Sequence, residues 1–215
     1  MKRLFISDEY PCFCDELKNR GYEIIPTKKI DVFHKPEQRH ADMQLLKIED
    51  SFFTLDDCIA TPGKSYPENI LLNCLYFGGK LYCKLIAVDV SVTDFCRERG
   101  IDVINVNQGY TRCSALIVSD SAVVTADKSI YKALKTSGAE ALLINPGNIR
   151  LEGFEYGFIG GAGFYDDSTV YIFGNIKEHP DYDSIRMFCS NYNSKLEIIC
   201  PSEPLTDIGG AVVLD

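Results

Sequence analysis

Two side chains suited to acid–base chemistry, His40 and Asp42, flank a single alanine just ahead of an apolar run. In extended backbone alternate side chains share a face, so they could work as a carboxylate–imidazole pair. A loop histidine bonded to its neighbour is the structural alternative. Cys113 is the cysteine most open to a nucleophilic role. It begins an apolar run after Gly109-Tyr110-Thr111-Arg112, and the adjacent Arg112 would favour a thiolate. Gln108, Arg112 and Ser114 around it could hold a ligand. The competing reading is a packing thiol, the usual fate of an unpaired cysteine. Glu152 and Asp207 each precede a glycine-rich stretch. If those stretches converge with Asp42, the three carboxylates form an acidic ring suited to a cation.

Other chemistry is excluded or unsupported. Gly157, Gly160, Gly161 and Gly163 lack the GxGxxG spacing, the lysine and the following helix of a phosphate loop; they suit close backbone approach instead. Cys12 and Cys14 have no second pair and no neighbouring histidine, so no structural zinc is expected, and neither is any other metal or cofactor. His34 sits in a basic loop and is expected at the surface, while His179 before Pro180 suits a helix start. A net charge of −9 argues against nucleic acid as partner. No apolar run approaches the length of a membrane span. The first ten residues are too short in apolar character for a signal peptide. Nine cysteines, an odd number scattered through apolar runs, read as free thiols in a reducing compartment, which predicts a cytoplasmic protein.

The elements that must position these residues recur. Asp50-Ser51, Asp120-Ser121 and Asp167-Ser168 each join two apolar runs as a hairpin turn. After the second hairpin, Asp127 should cap a helix over 128–136, ended by Gly138, and 141–144 should be a third strand. After the last, 182–192 and 196–200 supply the same pair. The spacing also predicts a helix over 67–75 completing the unit that begins at Met43, then a strand over 81–88, a helix over 93–99 and a strand over 101–106. The tail 208–214 reads as a first strand whose remainder, strand–helix–strand, is the N-terminus over 2–26. Five units closed by the two chain ends would leave no exposed sheet edge.

His40-Ala41-Asp42-Met43, Asn107 to Ser114, Asn145-Pro146-Gly147, Tyr156 to Gly161, Gly174-Asn175 and Asp207-Ile208-Gly209 resemble an uncharacterised bacterial family of the pentein, or guanidino-group-modifying-enzyme, fold. The resemblance spans about residues 35–215. It implies an α/β fold, a five-bladed pseudo-symmetric α/β propeller of strand–strand–helix–strand units, as a single domain over 1–215. Enzymes of that fold include deiminases, dimethylarginine hydrolase and amidinotransferases. They use a cysteine nucleophile, a histidine acid/base and carboxylates that grip a guanidinium. Their cysteine follows a glycine-rich stretch near the C-terminus, where this chain has Gly209-Gly210-Ala211 and no cysteine. The resemblance therefore implies an enzyme acting on a guanidino or other cationic small molecule, with Cys113 as a displaced nucleophile, His40 as acid/base and the other named residues as ligand contacts. The alternative is a non-catalytic binding protein on the same ring.

Overall fold

Short apolar strands interrupted by Asp-Ser or Gly-Gly reversals pair first with near neighbours, and the chain folds into five small sheets. The computed structural model describes residues 1–215. The chain opens with β1 (Lys2–Ile6), α1 (Pro11–Asn19) and β2 (Tyr22–Pro26), the two strands running parallel. An irregular stretch leads to the antiparallel hairpin β3 (Leu45–Ile48) and β4 (Ser51–Thr54). Next come β5 (Leu75–Phe77), β6 (Lys80–Cys83), α2 (Val90–Glu98) and β7 (Asp102–Asn105). The same order follows in β8 (Ala115–Ser119), β9 (Ala122–Thr125), α3 (Lys128–Thr136) and β10 (Glu140–Leu143). It returns in β11 (Gly163–Asp166), β12 (Thr169–Asn175), α4 (Tyr182–Asn191) and β13 (Lys195–Pro204). Strand β14 (Ala211–Val213) then pairs antiparallel with β1, Ile6 opposite Ala211, so the last strand completes the unit that the first residues began.

The unit that begins at β3 departs from the expected order. No helix forms over 67–75 and no third strand follows β4; the segment is a chain of turns. Ile70, Leu71 and Leu72 are all buried in succession, which a helix lying on a sheet cannot arrange because it hides one face only. The run is threaded through the core instead. The expected strand over 81–88 is likewise shorter. Its true partner is the hidden strand β5, joined to β6 across Gly78 and Gly79, both at positive φ. Helix α2 starts earlier than expected because Asp89 caps it, accepting from the Ser91 amide at 2.9 Å. Asp127 caps α3 as the sequence predicts, accepting from Ser129 and Ile130.

Each helix is wedged between its own sheet and the sheet of the unit before it. Ile130 and Leu134 of α3 pack on Leu75 and Tyr82 as well as Val123. Ile185 and Cys189 of α4 meet Leu116 and Val118. Val92 and Cys96 of α2 meet Leu46 and Ile48, and Phe13 and Leu17 of α1 meet Phe173 and Ile199. Burying such a side chain contributes about 1.5–3 kcal/mol, so each helix ties two sheets together. The strands that open the units, β3, β5, β8, β11 and β14, all contribute side chains to one cavity of about 330 Å³.

The expectation of free thiols throughout is corrected at two positions. Cys12 at the start of α1 and Cys200 in β13 form a disulfide; the other seven cysteines are free, six of them buried. The CxC spacing concealed this because the partner lies 188 residues away. No helix is long and apolar enough to cross a membrane.

Candidate functional site

The residues just ahead of the five opening strands come together at one end of those strands. His40 and Asp42 precede β3, Asn73 precedes β5, Arg112 and Cys113 precede β8, Gly160 and Gly161 precede β11, and Asp207 precedes β14. Backbone bonds sew these segments to one another. The Asp42 amide donates to the Gly209 carbonyl, Gly161 to Cys113, and Ile208 and Gly210 to Gly161, at 2.8–3.1 Å.

Two of these junctions are possible only with glycine. A Cβ on Gly161 would collide with the Asp207 carboxylate, and one on Gly160 would collide with the backbone carbonyls of Arg112, Cys113 and Ala115. The glycines noted in the sequence thus allow close backbone approach. What they approach is Asp207 and the Cys113 strand.

Within this junction His40, Asp42, Cys113 and Asp207 are 4%, 2%, 2% and 1% exposed. The Nδ1 atom of His40 lies 4.0 Å from both Asp42 Oδ1 and Asp207 Oδ1. His40 is extended, as expected, but Ala41 to Met43 form a 3₁₀ turn rather than continuing the strand. The pair therefore meets through that turn and not through strand alternation. Donor atoms of His40, Asp42 and Cys113 all lie within 4.8 Å of one another, close enough that small adjustments would let them hold a divalent metal ion.

Asp42 and Asp207 differ in how they are satisfied. Asp207 accepts from the Phe158 amide at 2.8 Å and from the Gly209 amide at 3.0 Å. Neither oxygen of Asp42 has a partner beyond the weak donor of the facing Cys113 thiol. His40 Nε2 is also buried without a partner. Burial pushes the Asp42 carboxyl up to about 6, against the attraction of His40 and with a further push from the Asp207 charge. Burial, then Asp42 and Asp207, hold the Cys113 thiol well above its ordinary value. At rest the sulfur is a protonated thiol.

Asn73 is the member of the site that sequence reasoning missed. Its Nδ2 donates to Cys113 Sγ at 3.0 Å and to the Asp42 carbonyl at 3.1 Å. Its Oδ1 accepts from the Arg112 and Cys113 amides at 2.9 and 3.3 Å. It fixes the cysteine against Asp42. The available signal was a single amide interrupting the apolar run from Ile70 to Tyr76.

The remaining expected contacts fall elsewhere. Arg112 has its backbone in the site, but its side chain lines the cavity between the opening strands, with Nη1 donating to the Ala115 carbonyl at 3.0 Å. Gln108 and Ser114 line a separate hollow of about 170 Å³ with Asn145, Tyr156 and Phe158, where the Ser114 hydroxyl is buried and unpartnered. Glu152 is exposed and lines a surface cleft with Glu9, Arg150 and Glu203. The expected ring of three carboxylates is thus two, Asp42 and Asp207. Residues 152–156 swing outward, and only at Gly157 does the chain return to pack on Asp207. His34 is exposed. His179 is buried at the start of α4, where its Nδ1 accepts from the Asp181 amide at 3.1 Å.

The overall fold is similar to solved structures. A DDAH from Pseudomonas aeruginosa, in a mutant complexed with citrulline, aligns over 99% of this chain and 98% of its own, with a TM-score of 0.59 and 9% identity. An agmatine deiminase from C. jejuni with substrate bound aligns over 93% of this chain and 87% of its own, with a TM-score of 0.49 and 9% identity. Another structure of C. jejuni agmatine deiminase aligns over 60% of this chain, at a TM-score of 0.42 and 11% identity, and the match spans 48% of that enzyme's length. At 9% identity the likeness to the DDAH structure speaks to the fold alone, which is the pentein fold. No curated protein matches this chain in sequence. The family model described as a family of unknown function (DUF6873) matches residues 53–212, and the chain belongs to that family.

Proposed function

We propose that the chain is a hydrolase or amidinotransferase-like enzyme for a guanidino or other small cationic nitrogen compound, built as a single domain of five units closed into a ring by its termini. The observation that carries this reading is the unpartnered carboxylate of Asp42, buried beside His40 and Cys113. A buried carboxylate without donors is costly. A planar cation rich in N–H groups would satisfy both of its oxygens and the field of Asp207 together.

The same cation would activate the sulfur. Burial first, then the charges of Asp42 and Asp207, hold the Cys113 thiol protonated, so a bound positive charge that offsets the two carboxylates lowers the thiol's affinity for its proton. The nucleophile then forms only when ligand is present. In this scheme the Cys113 proton passes to His40 as Sγ bonds to the guanidinium carbon, and the carbon–nitrogen bond breaks as His40 delivers that proton to the departing amine. Water, or an acceptor amine in the transferase variant, then displaces the sulfur. Seven free thiols suit a reducing compartment, and we read the protein as cytoplasmic.

The test is incubation with arginine, agmatine and methylated arginines while following ammonia and ureido product. Turnover by the wild type that is lost in Cys113→Ala supports the enzyme reading. A second reading, a non-catalytic binding protein on the same ring, rests on the tail Gly209-Gly210-Ala211, which carries no cysteine. Under it, one of these cations raises the melting temperature through Asp42 and no product forms.

A further inference from the structure

The cavity between the five opening strands is chemically unlike the chamber beside it. Each unit contributes an apolar wall residue: Leu45, Tyr76, Ile117, Phe164 and Val213. The charged groups along it are Lys47, Glu49 and Arg112, and they are not mutually neutralised. Glu49 is drawn off to Arg99 at 3.2 Å. Arg112 spends one N–H on the Ala115 carbonyl at 3.0 Å, and no carboxylate hydrogen-bonds to it. Lys47 Nζ donates to the Val213 carbonyl at 3.2 Å and lies 5.3 Å from the centre of the Phe52 ring, again without a carboxylate. A chain of net charge −9 thus keeps two cations without a hydrogen-bonded carboxylate on an apolar-walled cavity, the Asp42 charge acting on Arg112 only through space.

A guanidinium has five donors in a planar fork that matches a carboxylate. Apolar walls with a few convergent polar groups are the usual make-up of a small-molecule site, and 330 Å³ stands at the low end of the range of roughly 300–1,000 Å³. We propose that this cavity is a second ligand site, for a small aliphatic monocarboxylate whose carboxylate sits on Arg112 and whose chain lies between the opening strands. Its sign is opposite to that of the chamber at Asp42, so the two sites select ligands of opposite charge. The proposal does not depend on any chemistry at Cys113.

The test is calorimetric titration of the full chain with octanoate, octan-1-ol and octylammonium, three probes of similar chain and different head. Octanoate should bind roughly tenfold or more tightly than octan-1-ol, the scale of a charge-assisted bond to Arg112. Octylammonium should bind weakest. Arg112→Gln should erase the preference for octanoate over the alcohol, and Lys47→Gln should reduce it by a smaller factor. Val213→Trp, which fills the half-exposed end of the cavity and leaves Arg112 in place, should weaken both octanoate and octan-1-ol. The proposal is overturned if the wild type does not bind octanoate, if the alcohol or the amine binds equally well, or if folded Arg112→Gln keeps the preference. Should Arg112→Gln fail to fold, the wild-type ranking of the three probes and the Val213→Trp result decide the matter.

Discussion

Asp42 and Asp207 are both buried, both carboxylates, and both 4.0 Å from the same imidazole nitrogen, yet they do opposite work. Asp207 holds two backbone amides, Phe158 and Gly209, and is gripped by Gly157 and Gly161, where any side chain would collide with it. It is a clamp between the tail and the loop ahead of β11. Asp42 holds nothing but a thiol proton. A buried polar group with all its bonds made stabilises the fold, whereas one with none is a cost that the rest of the fold must carry. Sites that bind or react are where such costs are found. The difference assigns construction to Asp207 and ligand contact to Asp42.

The largest effect that separates them is on stability. Asp207→Ala leaves the Phe158 and Gly209 amides without an acceptor at the centre of the molecule. At about 1–3 kcal/mol for each lost partner, the protein should lose about 3–5 kcal/mol. For a chain of this length that lowers Tm by roughly 10 °C. Asp42→Asn removes a buried charge whose desolvation outweighs the pull of His40 and the thiol, so its Tm at pH 7 should equal or exceed that of the wild type. Thermal melts of the two variants side by side test the contrast, and equal losses would erase it.

Much of the scaffold behind this contrast was legible. The hairpins at Asp120-Ser121 and Asp167-Ser168, the Asp127 cap and the pairing of the tail with β1 depend on local turn chemistry and strand alternation, which a sequence displays directly. The helix expected over 67–75 failed because a short apolar run reads alike whether it lies on a sheet or passes through a core. The site was half legible. His40 and Asp42 are neighbours in sequence, and Cys113 stood out by its glycine turn. Asn73 gave only a polar interruption, and Asp207 reaches His40 across 167 positions, a contact that exists only because the ends of the chain pair. Glu152 looked equivalent to Asp207 because both precede glycine. The outward swing of 152–156 that separates them is set by packing at Gly157, which no local pattern records.

The next effect is the pH dependence of that same contrast. Asp42 titrates at about 6 in the folded protein, against an ordinary value of 3.8, so between these values the folded chain holds a proton that the unfolded chain has lost. Stability from this group is complete below about pH 4 and disappears as pH rises through 6, a change of up to about 3 kcal/mol. Wild-type Tm should therefore fall between pH 4 and 6 relative to Asp42→Asn, which lacks the group. Parallel curves for the two proteins would mean that Asp42 is not held protonated. A guanidino ligand that needs the ionised carboxylate should bind better above pH 6 than below it.

The smallest effect is read at Cys113. Burial is the main reason its thiol resists ionisation, with Asp42 next and Asp207 after it. Removing one carboxylate therefore shifts the titration without making it ordinary. The pH midpoint for iodoacetamide labelling of Cys113, located by mass spectrometry, should move down in Asp42→Asn. In Asp207→Asn, a milder change than the alanine, it should move less, since that charge acts more weakly on the sulfur. Because each midpoint is taken within one variant, slow access to a buried sulfur affects the rate and leaves the order of midpoints readable. If the order is reversed, Asp207 is the carboxylate that governs the thiol, and the assignment of Asp42 as the ligand-facing partner of Cys113 exchanges with it. If neither midpoint moves, burial alone holds the proton, and a cation placed between the carboxylates would not release it.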